Sequence, residues 1–448
     1  MRLSTSTLET KKATSITNWQ YLTLAVPLII SGISTPILGA VDTAVIGRIP
    51  NPASIGGVAI GAVIFNTMYW LLGFLRVGTS GFTAQAEGAN DQKEVFLCLF
   101  RPAIIAILFG VLFILLQKPI LQISLFLFGG SEAVKSFAAD YFLIRIWGAP
   151  FILLNYVIIG WLMGRSKVKL SLAIQILMNL LNISLDLLFV LVFGMGVDGV
   201  AFATVIAEIS AVIFGFALII RTTTFKVNDF KFKMLLESKS LIRMLRVNRD
   251  IFFRTICLLT MTGLFTAKGA SMGEVTLAAN AVLLQIHYIM AYLFGGFANA
   301  SGILVGKSIG ARDRYLYKRA LSLSAGWGLG SAILLALTII VVGDQIVGFF
   351  TTLPEVKDIA LELLVWMVVF PIVGFWGLQL EGIFFGATEA KYIRDSIVLS
   401  LLVFLAALWL LVPIYHNTGV WVAFILFSLS RSFFLTLFVP KLTKANFS

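Results

Sequence analysis

The sequence predicts an all-α polytopic membrane protein: twelve transmembrane helices in two six-helix bundles, related by a pseudo-two-fold axis along the membrane normal. Three observations carry this. Of 448 residues, 59% are hydrophobic and 12% charged, with a mean hydropathy of +0.97. Apolar runs long enough to cross a bilayer, which takes roughly 20 residues, recur from end to end. A membrane β-barrel would instead show alternating segments of about 10 residues. Finally, the two halves of the chain repeat each other.

Runs and breakers place the spans at 19–46, 54–77, 94–117, 138–164, 168–193, 197–220, 251–271, 277–305, 318–343, 361–387, 393–414 and 417–438. Residues 1–18 have no short apolar core followed by a cleavage site and read as a cytoplasmic tail, and 439–448 as a second tail. Between them lie an N-terminal lobe (19–220), a basic linker (221–250) and a C-terminal lobe (251–438). The first tail and the even-numbered connections hold about 26 Lys and Arg, whereas the other side holds Arg48, Lys118, Lys135, Lys268 and Lys357. The positive-inside rule therefore predicts that both termini are cytoplasmic. The net charge of +12 is thus a topology signal, and the basic linker reads as a determinant of sidedness or a segment touching anionic lipid, with nucleic acid excluded as a partner.

The repeat is visible in three places. GVDGVAFATV (Gly196–Val205) matches HNTGVWVAFIL (His416–Leu426). TSGFTAQAEGAND (Thr79–Asp91) recurs as ASGILVGKSIGARD (Ala300–Asp313), and GWLMGRSK (Gly160–Lys167) as GIFFGATEAK (Gly382–Lys391). With an even number of spans per half, both halves insert in the same orientation, the parallel repeat found in secondary transporters whose halves rock about a site between them. There is no GxxxxGK[ST] loop for ATP, no nucleophile–base pair, and only two histidines and two cysteines (Cys98, Cys257). The expectation is neither an enzyme, nor a metal or cofactor protein, nor a disulfide framework.

Ionisable groups inside spans are costly and read as functional. Asp186 lies in NLLNISLDLLFV on span 5, with Asn182 and Asn179 at i−4 and i−7 on its face, and Asp42 lies one turn from the outer end of span 1. Tyr141 on span 4 and Thr204 on span 6 fall at a similar level in the outer part of the same lobe. Two carboxylates in a wet intrabundle pocket, with three hydrogen-bonding partners, form a candidate proton relay. The alternative is that Asp42 ends a helix near water and Asp186 is a structural hydrogen-bonder. Pro27 removes a backbone bond in span 1 and permits a bend there.

Other candidates divide between cavity or coupling roles and packing. Glu208 lies one turn from Thr204, Gln285 and His287 lie on span 8, and Glu381 lies near the inner end of span 10. Glu381 reads equally as a coupling residue or as the partner of a base on span 7 or 8, for which Arg254 is the candidate.

The stretches GAVDTAVIGRIPNPASIGGVAIG, RVGTSGFTAQAEGAND, NISLDLLFV with MGVDGVAFATVIAE, NRDIFFRT and LEGIFFGATEA resemble the multidrug and toxin extrusion (MATE) transporters, and within them the DNA-damage-inducible F (DinF) branch, over about residues 19 to 438. The resemblance implies an antiporter of the bacterial plasma (inner) membrane exporting amphipathic drugs or other organic compounds against protons, with Na⁺ as the alternative coupling ion and no cofactor. It implies a cation site of Asp42, Asn182, Asp186, Tyr141 and Thr204, and a bend of span 1 at Pro27. Acids used by other branches in the C-terminal half have no counterpart inside span 7 (IFFRTICLLTMTGLF). A flippase for lipid or a lipid-linked precursor is the nearest rival, to be favoured by a cavity rich in Arg and Lys; a non-transporting receptor is a more distant one. The internal repeat supplies both halves of a transporter, so the chain is expected to act as a monomer, with membrane lipid and small organic substrates as partners.

Overall fold

The computed structural model describes residues 16–48, 51–223, 234, 235 and 237–447. No β-strand occurs among them. The N-terminal lobe comprises α1 (Asn18–Ile46), α2 (Pro52–Leu71), α3 (Phe74–Gly88), α4 (Gln92–Leu115), α5 (Gln117–Phe128), α6 (Glu132–Arg145), α7 (Ala149–Gly164), α8 (Val168–Asp186) and α9 (Gly196–Thr222). The C-terminal lobe comprises α10 (Ser238–Ala270), α11 (Glu274–Gly310), α12 (Arg314–Phe350), α13 (Pro354–Glu362), α14 (Val365–Gly386) and α15 (Ala390–Phe447).

Among the described residues, 10 helical segments are long and apolar enough to cross a membrane, α2 with α3 and α6 with α7 each counting as one. The last of them, α15, breaks at His416, whose φ is 48°, and α1 contributes one more, which makes the twelve expected. Helix starts follow local chemistry. Asn51 accepts from the Ala53 amide ahead of Pro52, and Asp91, Ser131 and Asp313 cap α4, α6 and α12 with side-chain oxygens.

The backbone confirms the sequence repeat in detail. Left-handed residues stand at Asn90 and Arg312, at Ser166 and Thr388, and at Gly196 and His416, the matched positions of the three repeated motifs. The span Pro52–Gly88 and its counterpart Glu274–Gly310 are both 37 residues long.

The boundaries differ from expectation where helices run on beyond the apolar stretch. Within the connection expected over 221–250, α10 already begins at Ser238, and α15 continues through the expected tail to Phe447. Residues 224–233 of that connection, with tail residues 1–15, lie outside the described residues. In both extensions the polar residues include good helix formers such as Lys and Arg, so hydropathy ends before the helix does. Helix α5, expected as a connection, is a short surface helix with Phe126 and Leu127 exposed.

Both ends of the described chain lie against the first half of α12: Arg319 donates to the Ile16 carbonyl, Trp327 to the Asn18 side chain, and the Tyr317 and Phe447 rings are 4.9 Å apart. We call this the terminal face. One apolar cluster fills each lobe, around Phe65, Phe142 and Trp161 in the first and Phe265, Phe294 and Trp421 in the second. A third joins Tyr21 and Ala25 of α1 to Phe297, Ile303 and Leu304 of α11.

At the terminal face the lobes meet backbone to backbone. A Cβ at Gly88 would collide with the Lys307 carbonyl, one at Gly310 with that of Gln85, and one at Gly81 with that of Phe385. Small residues let helices approach closely where no hydrophobic effect drives them together. Hydrogen bonds add to this contact: Gln85 Nε2 donates to the Gly386 carbonyl at 3.1 Å, and the Tyr21 and Ser301 hydroxyls are 2.8 Å apart.

Candidate functional site

The polar group predicted in the N-terminal lobe lies at its end away from the termini. Helix α8 packs between α1 and α9. It delivers Asn179, Asn182 and Asp186, all buried, on one face. Asn182 Nδ2 donates to Thr204 Oγ1 across the α8–α9 contact at 3.3 Å, and the Thr204 hydroxyl donates in turn to the Val200 carbonyl at 3.0 Å. Asn179 accepts from Gln175 at 3.2 Å, one turn nearer the terminal face. Asp186 has no accessible surface. Directly after it, residues Leu187–Val192 form a π-helical turn, an irregularity of the kind often placed at functional sites.

Asp42 falls four residues before the end of α1, as expected, but its side chain lies outside the described residues. Helix α1 runs without interruption through the buried Pro27.

Tyr141 and Glu208 meet through a residue that sequence reasoning passed over. Arg145, at the end of α6, donates to Tyr141 Oη at 3.0 Å and pairs with Glu208 at 3.8 Å. Its guanidinium also sits 4.7 Å from the Phe65 ring centroid. The close approach of η1 (Ile146–Gly148) makes the arrangement possible, because a Cβ at Gly148 would strike the Glu208 carboxylate. The signal was an arginine inside the apolar run YFLIRIWGAP, which the count of connections left out.

In the C-terminal lobe, Glu381 on α14 is buried and engaged by two arginines. Arg254 of α10 contacts one carboxylate oxygen and Arg431 of α15 the other. Arg254 is the partner expected from the sequence; Arg431 is an addition. Arg guanidinium stays protonated under all ordinary conditions, so the three groups carry one positive charge when Glu381 is ionised.

His287 packs edge-on against Phe370 and Phe424, with ring centroids 4.3 and 4.9 Å away, and its Nδ1 has no hydrogen-bond partner among the described residues. This is the environment of a packing histidine. Gln285, two residues earlier, is exposed on α11.

Comparison with known proteins agrees with the architecture. The MatE family matches residues 27–188 and 251–410, one stretch in each lobe. DNA damage-inducible protein F of Escherichia coli (strain K12) is 36% identical over 406 residues, covering 90% of this chain and 88% of that protein. A probable multidrug resistance protein NorM of Bacillus cereus is 23% identical over 361 residues, 79% of each chain. Among solved structures, an outward-facing multidrug resistance MATE transporter of the MOP superfamily superposes with a TM-score of 0.86 at 19% identity, covering 95% of this chain and 96% of that one. A MOP superfamily transporter from Pyrococcus furiosus gives 0.85, also at 19% identity, with 96% of both chains covered. The chain belongs to the MatE family, whose members are transporters and not enzymes.

Proposed function

We propose that this MatE-family chain is a secondary antiporter of a bacterial inner membrane, with both termini cytoplasmic, exporting amphipathic organic compounds in exchange for protons. The observation that carries the coupling is Asp186, fully buried on α8 beside the Asn182–Thr204 bond and against α1, the helix of Asp42. A buried carboxylate is stable only when neutralised, hydrogen-bonded or occupied by a cation, so its charge state and the packing of α1 and α8 depend on each other. Drug export is supported by the name of the Bacillus cereus relative, and sidedness by the distribution of Lys and Arg.

With the lobes joined at the terminal face, the described conformation is closed toward the cytoplasm under this topology. Protonation from the opposite side would then act on the acids of the N-terminal lobe. It promotes substrate release only if the proton binds the drug-free state more tightly, since a ligand shifts an equilibrium solely through differential affinity. No cofactor enters this scheme, and one chain holds both lobes, so the transporter acts as a monomer.

The two arginines around Glu381 favour a second reading of the substrate: an amphipath or lipid-linked precursor bearing an anionic group. The deciding experiment is uptake of a fluorescent cationic drug into proteoliposomes under an imposed pH or Na⁺ gradient, for the native chain and Asp186→Asn. Uptake driven by the pH gradient alone and lost in the variant supports the proposal. Drive by Na⁺ alone makes the N-lobe site a metal-ion site, and drive by neither makes lipid or an anionic solute the leading substrate.

A further inference from the structure

Away from the buried sites, a cleft of about 510 Å³ opens at the terminal face between the first turns of α10 and the turn joining α14 to α15. Lys239, Arg243, Arg246 and Arg249 line it from α10, and Lys391 faces them from α15. The spacing of the four α10 residues, at steps of three or four, puts their side chains along one helix face.

Two acids also border the cleft and offset only part of this charge. Asp250 is committed to Arg249 at 2.9 Å and to Arg394 at 2.8 Å. Glu389 interacts with Arg243 and Lys391, and burial pushes its carboxyl above its ordinary pKa against their opposing pull. Arg246 and Lys391 have no ion-pair partner among the described residues. Arg243 is held across the seam between the lobes, donating from Nη2 to Gln85 Oε1 at 3.1 Å and to Thr388 Oγ1 at 2.9 Å.

Sidedness alone asks only for basic residues on this face; it does not ask that they surround a concavity of ligand size. Guanidinium forks together with an ammonium suit a multiply charged oxyanion, and the volume exceeds what a bare halide needs. We propose that this cleft binds a phosphate-bearing anion between Arg243, Arg246 and Lys391, beside the seam where the two lobes close. The ligand is either the headgroup of an anionic lipid or a soluble phosphate. Its charge offsets the mutual repulsion of the lining cations and so holds α10 against the α14–α15 turn, with Arg243 in place on Gln85.

The test uses the full chain in nanodiscs of phosphatidylcholine, titrated with inorganic phosphate against chloride at equal ionic strength, and in discs containing increasing phosphatidylglycerol. Binding is read from the thermal unfolding midpoint and by native mass spectrometry. The native chain should be stabilised by phosphate or by phosphatidylglycerol. Arg246→Gln with Lys391→Gln should weaken apparent affinity by about tenfold or more, the loss of two charge-assisted hydrogen bonds, while keeping its midpoint in phosphatidylcholine alone. Arg246→Lys with Lys391→Arg, which keeps both charges, should retain most of the affinity. A response to phosphatidylglycerol only identifies a lipid headgroup, and a response to inorganic phosphate in phosphatidylcholine discs identifies a soluble source. Equal binding by the native chain and the glutamine variant, or no binding by the native chain, overturns the proposal.

Discussion

Within the spans of the N-terminal lobe the carboxylates of Asp186 and Glu208 are buried and Arg145 pairs with Glu208; in the C-terminal lobe two guanidiniums, Arg254 and Arg431, share the single carboxylate of Glu381. The two lobes nevertheless repeat the same left-handed turns and the same 37-residue span. The helix matching α8, the segment of α15 before His416, carries no acid beyond Asp395 near its start. The repeat therefore fixes the scaffold, and the side chains that depart from it give the lobes opposite polarity.

The largest effect should come from Asp186→Asn, which removes a charge at nearly constant shape. Gradient-driven transport should fall to background in proteoliposomes while expression and unfolding midpoint stay near native. Full activity in this variant would break the assignment of coupling to the acid-rich lobe.

Next, Glu381→Ala should cost about 3–5 kcal/mol of stability, because it leaves two buried guanidiniums without a counter-charge. Adding Arg254→Leu and Arg431→Leu to it should recover most of that loss in thermal unfolding. If the triple variant is as stable as the native chain but no longer transports, the base-rich lobe serves substrate and not architecture.

Arg145→Met should destabilise by about 2–3 kcal/mol, since it unpairs Glu208 and removes the bond to Tyr141. Combination with Glu208→Gln should restore stability, and a double-mutant cycle measures the coupling between the two. Thr204→Val should cost about 1–2 kcal/mol by removing the acceptor of Asn182. Smallest of all, His287→Phe should change stability by less than about 1.5 kcal/mol, because Nδ1 makes no hydrogen bond that would be lost. An altered pH profile of transport in that variant would give the histidine a role that its aromatic surroundings do not.

Twelve spans, two lobes and the parallel repeat were legible in the sequence because the bilayer imposes a length and a polarity on each segment independently of its neighbours. Asp186, Asn182 and Thr204 were legible for the same reason: a polar group in an apolar run stands out, and helical spacing puts two of them on one face. Arg254 as the partner of Glu381 followed from a similar argument about depth.

Only the tertiary structure decided how these groups pair. Arg145 and Glu208 are 63 positions apart and Arg431 and Glu381 50, distances over which periodicity carries no information. It also decided that the lobes close through Gly81, Gly88 and Gly310 at the terminal face, that Arg243 reaches across to Gln85, and that α10 begins in what composition marks as a connection. Hydropathy reports the free energy of each segment in lipid or water, one segment at a time; ion pairs and helix seams depend on which segments come to lie side by side, and that is settled by packing among all of them.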